Sequence, residues 1–154
     1  MSNSRKILTL CIVQESNRIL LGMKKRGFGV GRFNGFGGKV NLNETIHEAA
    51  LRELEEEAGI KALDLEEYGV INFEFRGKED ILEVHIFKAS KFSGEIIESE
   101  EMLPQWFDIN EIPYSEMWSD DIYWLPLFLK GQKFKGRFLF DEEDKVLEKE
   151  LEKI

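Results

Sequence analysis

Between Gly38 and Gly59 the chain carries Glu44, Arg52, Glu53, Glu55, Glu56 and Glu57. A helix with that many like charges repels itself unless something positive neutralises it. A divalent cation carrying a phosphorylated substrate would do so. At about 100° per residue, Glu53, Glu56 and Glu57 fall within one arc roughly 100° wide. Glu55 points away to solvent. Ala50, Leu51, Leu54 and Ala58 form the apolar arc beside the acids, and small Ala49 lies below them. Three carboxylates at a core edge are costly without a counter-charge. Oxygen donors in that number suit a hard cation, Mg²⁺ with Mn²⁺ as the alternative. No Cys or His accompanies them, which argues against Zn²⁺. Arg52 is placed to pair with a carboxylate and hold its orientation. The plainer reading is an ordinary solvated acidic helix. The ordered spacing, the flanking glycines and Arg52 argue against it.

Loop, helix and stop must position these acids. Gly35, Gly37 and Gly38 mark a tight loop, where the backbone takes a positive φ or lets something approach closely. Thr45 with Glu48 three residues on is a capping box that starts the helix. The Thr45 cap contributes on the order of 1 kcal/mol. Gly59 stands where a left-handed C-terminal cap belongs.

Elsewhere the pattern is that of strands. Lys6 to Gln14 and Arg18 to Lys24 read as two strands joined by a turn at Glu15-Ser16-Asn17. Leu65 to Phe75 and Ile81 to Ala89 read as a hairpin around Gly77-Lys78-Glu79-Asp80. Glu101 to Phe107 is a further short strand. Ser119 to Leu129 reads as a helix with Ser119 as N-cap, Asp120 and Asp121 in its first turn, and Pro126 as a kink risk. Phe134 to Phe140 is a strand, and Val146 to Ile154 reads as strand or helix. Strands interrupted by two helices give an α+β sandwich, one domain over residues 1–154.

Composition narrows the partners. The chain is 42% hydrophobic and 33% charged, ordinary for a globular protein. No apolar run approaches a membrane span, and the N-terminus lacks the apolar stretch of a signal peptide. A net charge of −9 disfavours a grip on polymeric nucleic acid, although Lys24, Lys25 and Arg26 form a local basic cluster. A small phosphorylated ligand bridged by metal fits better. The single Cys11, in the run ILTLCIV, reads as a buried inert thiol and suits a reducing cytosol. The expectation is a cytoplasmic monomer.

The pattern Gly38, five residues, Glu44, seven residues, Arg52-Glu53-Leu54, one residue, Glu56-Glu57, one residue, Gly59-Ile60 matches the Nudix box at every defined position. The chain is identified by it as a member of the Nudix family. The resemblance implies a mixed β-sheet sandwiched between helices. Residues 20–38 and 118–127 resemble one Nudix subfamily, acting on oxidised purine nucleoside triphosphates such as 8-oxo-dGTP and 2-hydroxy-dATP. That likeness implies conversion of the triphosphate to monophosphate and pyrophosphate, a nucleotide-pool cleansing role in the service of DNA repair.

Residue by residue, it implies a metal site of the Gly37 carbonyl, Glu53, Glu56, Glu57 and Glu101, with Arg52 in support. It implies a base pocket of Thr9, Lys24, Phe28, Asn34, Phe73, Leu82, Trp118, Asp120 and Asp121. The chain departs from the subfamily at Leu82, where a Met-like wall residue is usual. It also departs at Asn41-Leu42-Asn43, at Phe33 in place of Trp and at Ser119 in place of Pro. None of these removes a ligand; Leu82 bears on base selectivity.

Each pocket residue has a plainer alternative. Trp118 is a stacking platform for a purine or a core Trp. Asp120 and Asp121 are helix-start acids, or a pair in which one carboxyl stays protonated and donates while the other accepts. Asn34 reads a base edge or caps a turn; Lys24 meets an acceptor or is solvated; Phe28 and Phe73 are pocket or core. His47 and His85 have no ligand-like partner in the sequence. Rival readings are a Nudix hydrolase for O6-methyl-dGTP, N6-methyl-dATP or ADP-ribose, and a catalytically silent nucleotide-binding module.

Overall fold

Caps and alternation set the element boundaries. The computed structural model describes residues 4–154. In chain order it has β1 (Arg5–Glu15), β2 (Arg18–Lys24), β3 (Phe33–Asn34), α1 (Ile46–Ala58), β4 (Lys61–Ala62) and β5 (Glu66–Phe75). There follow β6 (Ile81–Ala89), β7 (Phe92–Ser93), β8 (Met102–Asp108), a 3₁₀ turn (Tyr114–Glu116), α2 (Asp121–Leu129), β9 (Phe134–Phe140) and β10 (Val146–Lys153). Eight strands form one mixed sheet in the order β10-β9-β5-β6-β1-β2-β3, with β8 on the other edge of β2. The β1–β6 and β5–β9 pairs are parallel and the rest antiparallel. β4 and β7 make a separate two-stranded ribbon.

Alternation gives the sheet two apolar faces. Along β1, Ile12 joins one core while Cys11 and Val13 join the other; along β6, Ile86 and Phe87 divide likewise. The first core is closed by α2 through Trp124, Leu125 and Phe128. The second is closed by α1 through Ala50, Leu54 and Ala58. The expected sandwich is therefore present, with one helix on each face. No helix among the described residues is long and apolar enough to cross a membrane. Cys11 is fully buried, and burial pushes its thiol up to about 12.

α1 begins and ends as the sequence predicts. Thr45 Oγ1 accepts from the Glu48 N–H, Glu48 reaches back to the Thr45 N–H, and Gly59 closes the helix at φ 79°. α2 does not begin as expected. Its N-cap is Asp120, whose side chain makes no capping bond; Ser119 Oγ instead donates to the Asp144 carbonyl at 2.9 Å. The helix runs on through Pro126. Val146–Lys153 is a strand: a bulge between Val146 and Glu148 turns both Val146 and Leu151 toward the α2 core. The two-residue strands β3, β4 and β7 are too short to carry a readable period.

β1 and β2 pair at three positions only, Val13 to Leu20, Gln14 to Ile19 and Glu15 to Arg18. Beyond these the strands part. β3 takes the edge of β2 at Gly22 and Met23, while the loop after it pairs with β1, Phe36 to Cys11 and Lys39 to Leu8. A cleft opens between these strands.

Candidate active site

The glycine loop brings the two halves of the site together. None of Gly35, Gly37 and Gly38 has a positive φ, so close approach is their reason. A Cβ on Gly37 would overlap the Thr9 carbonyl oxygen, and one on Gly38 would lie 2.7 Å from Glu53 Oε1. Without side chains the loop can lie flat on β1, with Thr9 N–H donating to Gly38 O at 2.9 Å, and can also touch α1.

On α1 the acids differ in depth. Glu57 is 5% exposed and its Oε1 accepts from the Gly37 N–H at 2.9 Å. Burial, then the neighbouring Glu53 charge, pushes its carboxyl up to about 7. Glu53 is half-buried and its carboxyl is raised by burial, which outweighs the lowering by Arg52. Glu56 is 58% exposed and lies outside the buried edge that the sequence reading assigned to all three. Arg52 gathers them: it donates to Glu44 at 2.6 and 3.0 Å, to Glu53 at 2.8 Å, to Glu56 at 3.3 Å and to the Lys39 carbonyl at 3.0 Å. Glu44 is held low by Arg52 and by the Asn41 N–H. Glu101 lies just before β8, where Lys24 at 3.0 Å and Arg26 at 2.8 Å hold its carboxyl low.

Among the described residues, no three of His, Cys, Asp or Glu surround a common ion-sized point. The candidate ligands are tied to protein cations and an amide instead. They nevertheless fit a hard divalent ion: the donors are all oxygen, and buried Glu57 beside Glu53 lacks a full counter-charge.

Next to Glu57 lies a cavity of about 250 Å³ in the cleft. Thr9, Lys24, Phe28, Asn34, Phe73, Leu82, Trp118, Asp120 and Asp121 all line it, together with Gly37 and Glu57. Glu53, Glu56 and Glu101 lie outside its lining. Phe28, 66% exposed, stacks on Trp118 with centroids 5.1 Å apart, and Phe73 stacks on Phe138 and Phe140. Asn34 Oδ1 is taken by the Gly35 N–H at 2.9 Å, leaving its amide N–H₂ for a ligand.

Asp120 and Asp121 are both buried, and burial raises both carboxyls. Asp120 is partly restrained by Trp124 Nε1–H, which donates to its Oδ2 at 2.7 Å. Asp121 is raised well above the usual carboxylate range by burial and by the Asp120 charge. Burial and mutual repulsion thus favour a shared proton on the pair, with Asp121 the more strongly raised of the two. Thr9 Oγ1 and Asp121 Oδ2 are buried without a hydrogen-bond partner among the described residues, and both residues line the cavity. Buried polar atoms are seldom left so. A polar ligand in the cavity would satisfy both.

Sequence reasoning missed the Trp124 N–H and the walls Leu8, Leu10, Phe75, Val84, Met102 and Phe140. Parity held a signal: Phe75 and Val84 stand two residues beyond Phe73 and Leu82 on their strands, hence on the same face. Trp124 stands four residues beyond Asp120, one helical turn. His85 has partners after all, Glu83 at 2.7 Å and Glu67 at 3.2 Å from neighbouring sheet positions, but it does not line the cavity.

The NUDIX domain profile matches residues 4–128. The chain belongs to the Nudix family. It is 52% identical over 149 residues to the oxidized purine nucleoside triphosphate hydrolase of Danio rerio, covering 97% of this chain and 96% of that one. It is 50% identical to the Mus musculus protein of the same name, over 100% of this chain and 98% of that one. The MutT protein structure from Bacillus halodurans superposes with a TM-score of 0.86 at 27% identity, over 95% and 97% of the two chains. Nudix hydrolases generally need divalent metal ions, in keeping with the carboxylate set on α1.

Proposed function

We propose that this Nudix hydrolase converts oxidised purine nucleoside triphosphates, 8-oxo-dGTP and 2-hydroxy-dATP, to monophosphate and pyrophosphate, clearing them from the nucleotide pool. The observation that carries the reading is the buried Asp120–Asp121 pair, with an unpartnered Asp121 oxygen, in an aromatic cavity beside Glu57. A protonated carboxyl donates to a purine carbonyl, and an ionised one accepts from a ring N–H. The pair offers both at one place and can present either edge. The relatives from Danio rerio and Mus musculus, named for hydrolysis of oxidized purine nucleoside triphosphates, support the same substrate class.

Glu53, Glu56, Glu57, Glu101 and the Gly37 carbonyl are the groups that would hold Mg²⁺, with Mn²⁺ as the alternative. When bound, the cation neutralises the phosphate oxygens. Arg52 aims Glu53 and Glu56 while Glu44 steadies Arg52. Glu56, the most exposed of the three acids, accepts the proton from the attacking water at its carboxylate. The water oxygen bonds to phosphorus as the anhydride between the α and β phosphorus atoms breaks, giving monophosphate and pyrophosphate. The aromatic walls, the Asp pair and Thr9 fix the base and exclude water from it. The substrate is a free nucleotide and the working unit a monomer.

Steady-state kinetics on 8-oxo-dGTP, 2-hydroxy-dATP, O6-methyl-dGTP and dGTP, followed by pyrophosphate release, tests the reading. The oxidised purines should lead in kcat/KM, and EDTA should abolish turnover. Equal efficiency for dGTP and 8-oxo-dGTP, or full activity in EDTA, would overturn it.

A further inference from the structure

Trp118 presents an indole to the cavity and lies outside the helices and strands, preceding α2 and following the 3₁₀ turn. Its ring packs against Phe28, Phe75 and Phe140, and a cation completes its surroundings. The Arg32 guanidinium lies over the ring, 4.3 Å from its centroid. Arg32 Nη1 is fixed in turn by Asp144 Oδ2 at 3.0 Å. Asp144 sits in the tight turn between β9 and β10 at φ 61°, and its carbonyl accepts from Ser119 Oγ at 2.9 Å. Arg32 itself is pinned by the Lys24 N–H donating to its carbonyl at 3.0 Å. Three segments remote in sequence thus close a ring of contacts around Trp118. Neither Arg32 nor Asp144 lines the cavity.

We infer that Arg32, locked by Asp144, is a positioning residue for base binding: it sets the plane of Trp118 against which the purine stacks. A planar guanidinium suits this task because it stacks on an aromatic face and pairs with a carboxylate at the same time. Because Ser119 Oγ ties the same turn to the start of α2, the strut also registers Asp120 and Asp121 against the Trp118 plane. Its effect falls on base binding and not on phosphate chemistry, which is handled on α1. This inference rests on the nucleotide reading above.

The test compares wild type with Arg32→Ala, Arg32→Lys and Asp144→Asn. Asn tolerates the left-handed backbone at 144 and keeps the side-chain volume, so this variant probes the ion pair alone if Arg32→Ala fails to fold. Binding of 8-oxo-dGMP is measured calorimetrically without metal, and kcat and KM for 8-oxo-dGTP with it. Arg32→Ala should raise Kd and KM at least fivefold while kcat stays within threefold, since an interaction equal in ground and transition states acts through KM. Arg32→Lys should recover part of the loss, and Asp144→Asn should raise Kd and KM about twofold or more. Unchanged Kd and KM in Arg32→Ala and Asp144→Asn, even with a lowered melting temperature, would show a merely structural strut and overturn the inference. So would a loss confined to kcat. Wild type that fails to bind 8-oxo-dGMP would refute the nucleotide reading itself, and the inference with it.

Discussion

Glu57 and Asp121 share a predicament: each is a carboxyl buried among apolar atoms beside a second acid. Glu57→Gln keeps an oxygen to accept from the Gly37 N–H and removes the charge that burial disfavours. Its melting temperature should be no lower than wild type, while turnover of 8-oxo-dGTP falls by about 100-fold or more, since the charge stabilisation a bound cation supplies amounts to several kcal/mol and each ~1.36 kcal/mol is about tenfold. Wild-type turnover in this variant would sink its assignment to the metal site. The Asp pair makes an asymmetric prediction. Asp120 accepts from Trp124, which favours its ionised form, while burial and the Asp120 charge favour a proton on Asp121. Asp120→Asn weakens a charge-assisted bond worth about 1.5–3 kcal/mol and should lower kcat/KM for every substrate. Asp121→Asn still donates but cannot change protonation state, so it should mainly alter the ratio of 8-oxo-dGTP to 2-hydroxy-dATP turnover. If both variants keep the wild-type ratio, these acids belong to helix α2 and the base is read elsewhere.

At the scale of elements, the loop from Gly35 to Lys39 does two jobs, and adjacent glycines separate them. A methyl on Gly37 meets the Thr9 backbone oxygen, which cannot yield without detaching the loop from β1. A methyl on Gly38 meets the end of the Glu53 side chain, which can swing away. Gly37→Ala should therefore cost about 2 kcal/mol or more of stability, within the range of overpacking. Gly38→Ala should stay near wild type in urea unfolding but lose activity by displacing Glu53. Equal stability losses would contradict this division. The same contrast shows what was legible beforehand. The caps at Thr45 and Gly59 and the arc of acids are local patterns that residues 45–59 carry unaided, and the long strands are legible in their own segments. Why Gly37 must be glycine depends on a strand 28 positions earlier in the chain. The Ser119 cap was misread because its hydroxyl is drawn to Asp144, 25 positions away. Glu56, placed at the core edge by helical angle, is instead 58% exposed, with Arg52 reaching it only at 3.3 Å.

For the molecule as a whole, the cavity exists because β1 and β2 part after three paired residues, and it is lined by Glu57, Asp120 and Asp121, whose carboxyls burial raises. The pocket's contents came from the Nudix resemblance, which carried Trp118 and both aspartates, and not from residue type alone. The splay itself is a property of the whole sheet and no local period announces it. One consequence concerns global stability against pH. Below the ordinary carboxyl value of 3.8, Asp121 is protonated in both folded and unfolded chains and has no effect on their balance. As pH rises past that value, the unfolded chain releases the proton while the folded one, with its carboxyl raised by burial and by Asp120, retains it. The folded state then binds more protons than the unfolded one, so this group makes stability fall with rising pH until the folded pKa is passed. Asn at 121 cannot titrate, and Asp121 Oδ2 has no protein partner to lose. Asp121→Asn should therefore be more stable than wild type near pH 7, by an amount that shrinks toward zero as pH approaches 4. Urea midpoints for the two proteins at half-unit steps from pH 4 to 8, without nucleotide or metal, measure the difference. Parallel curves would mean that Asp121 ionises in the folded protein as it does in the unfolded chain, and the proton donated to a purine carbonyl would then have to come from Asp120, whose carboxyl burial also raises.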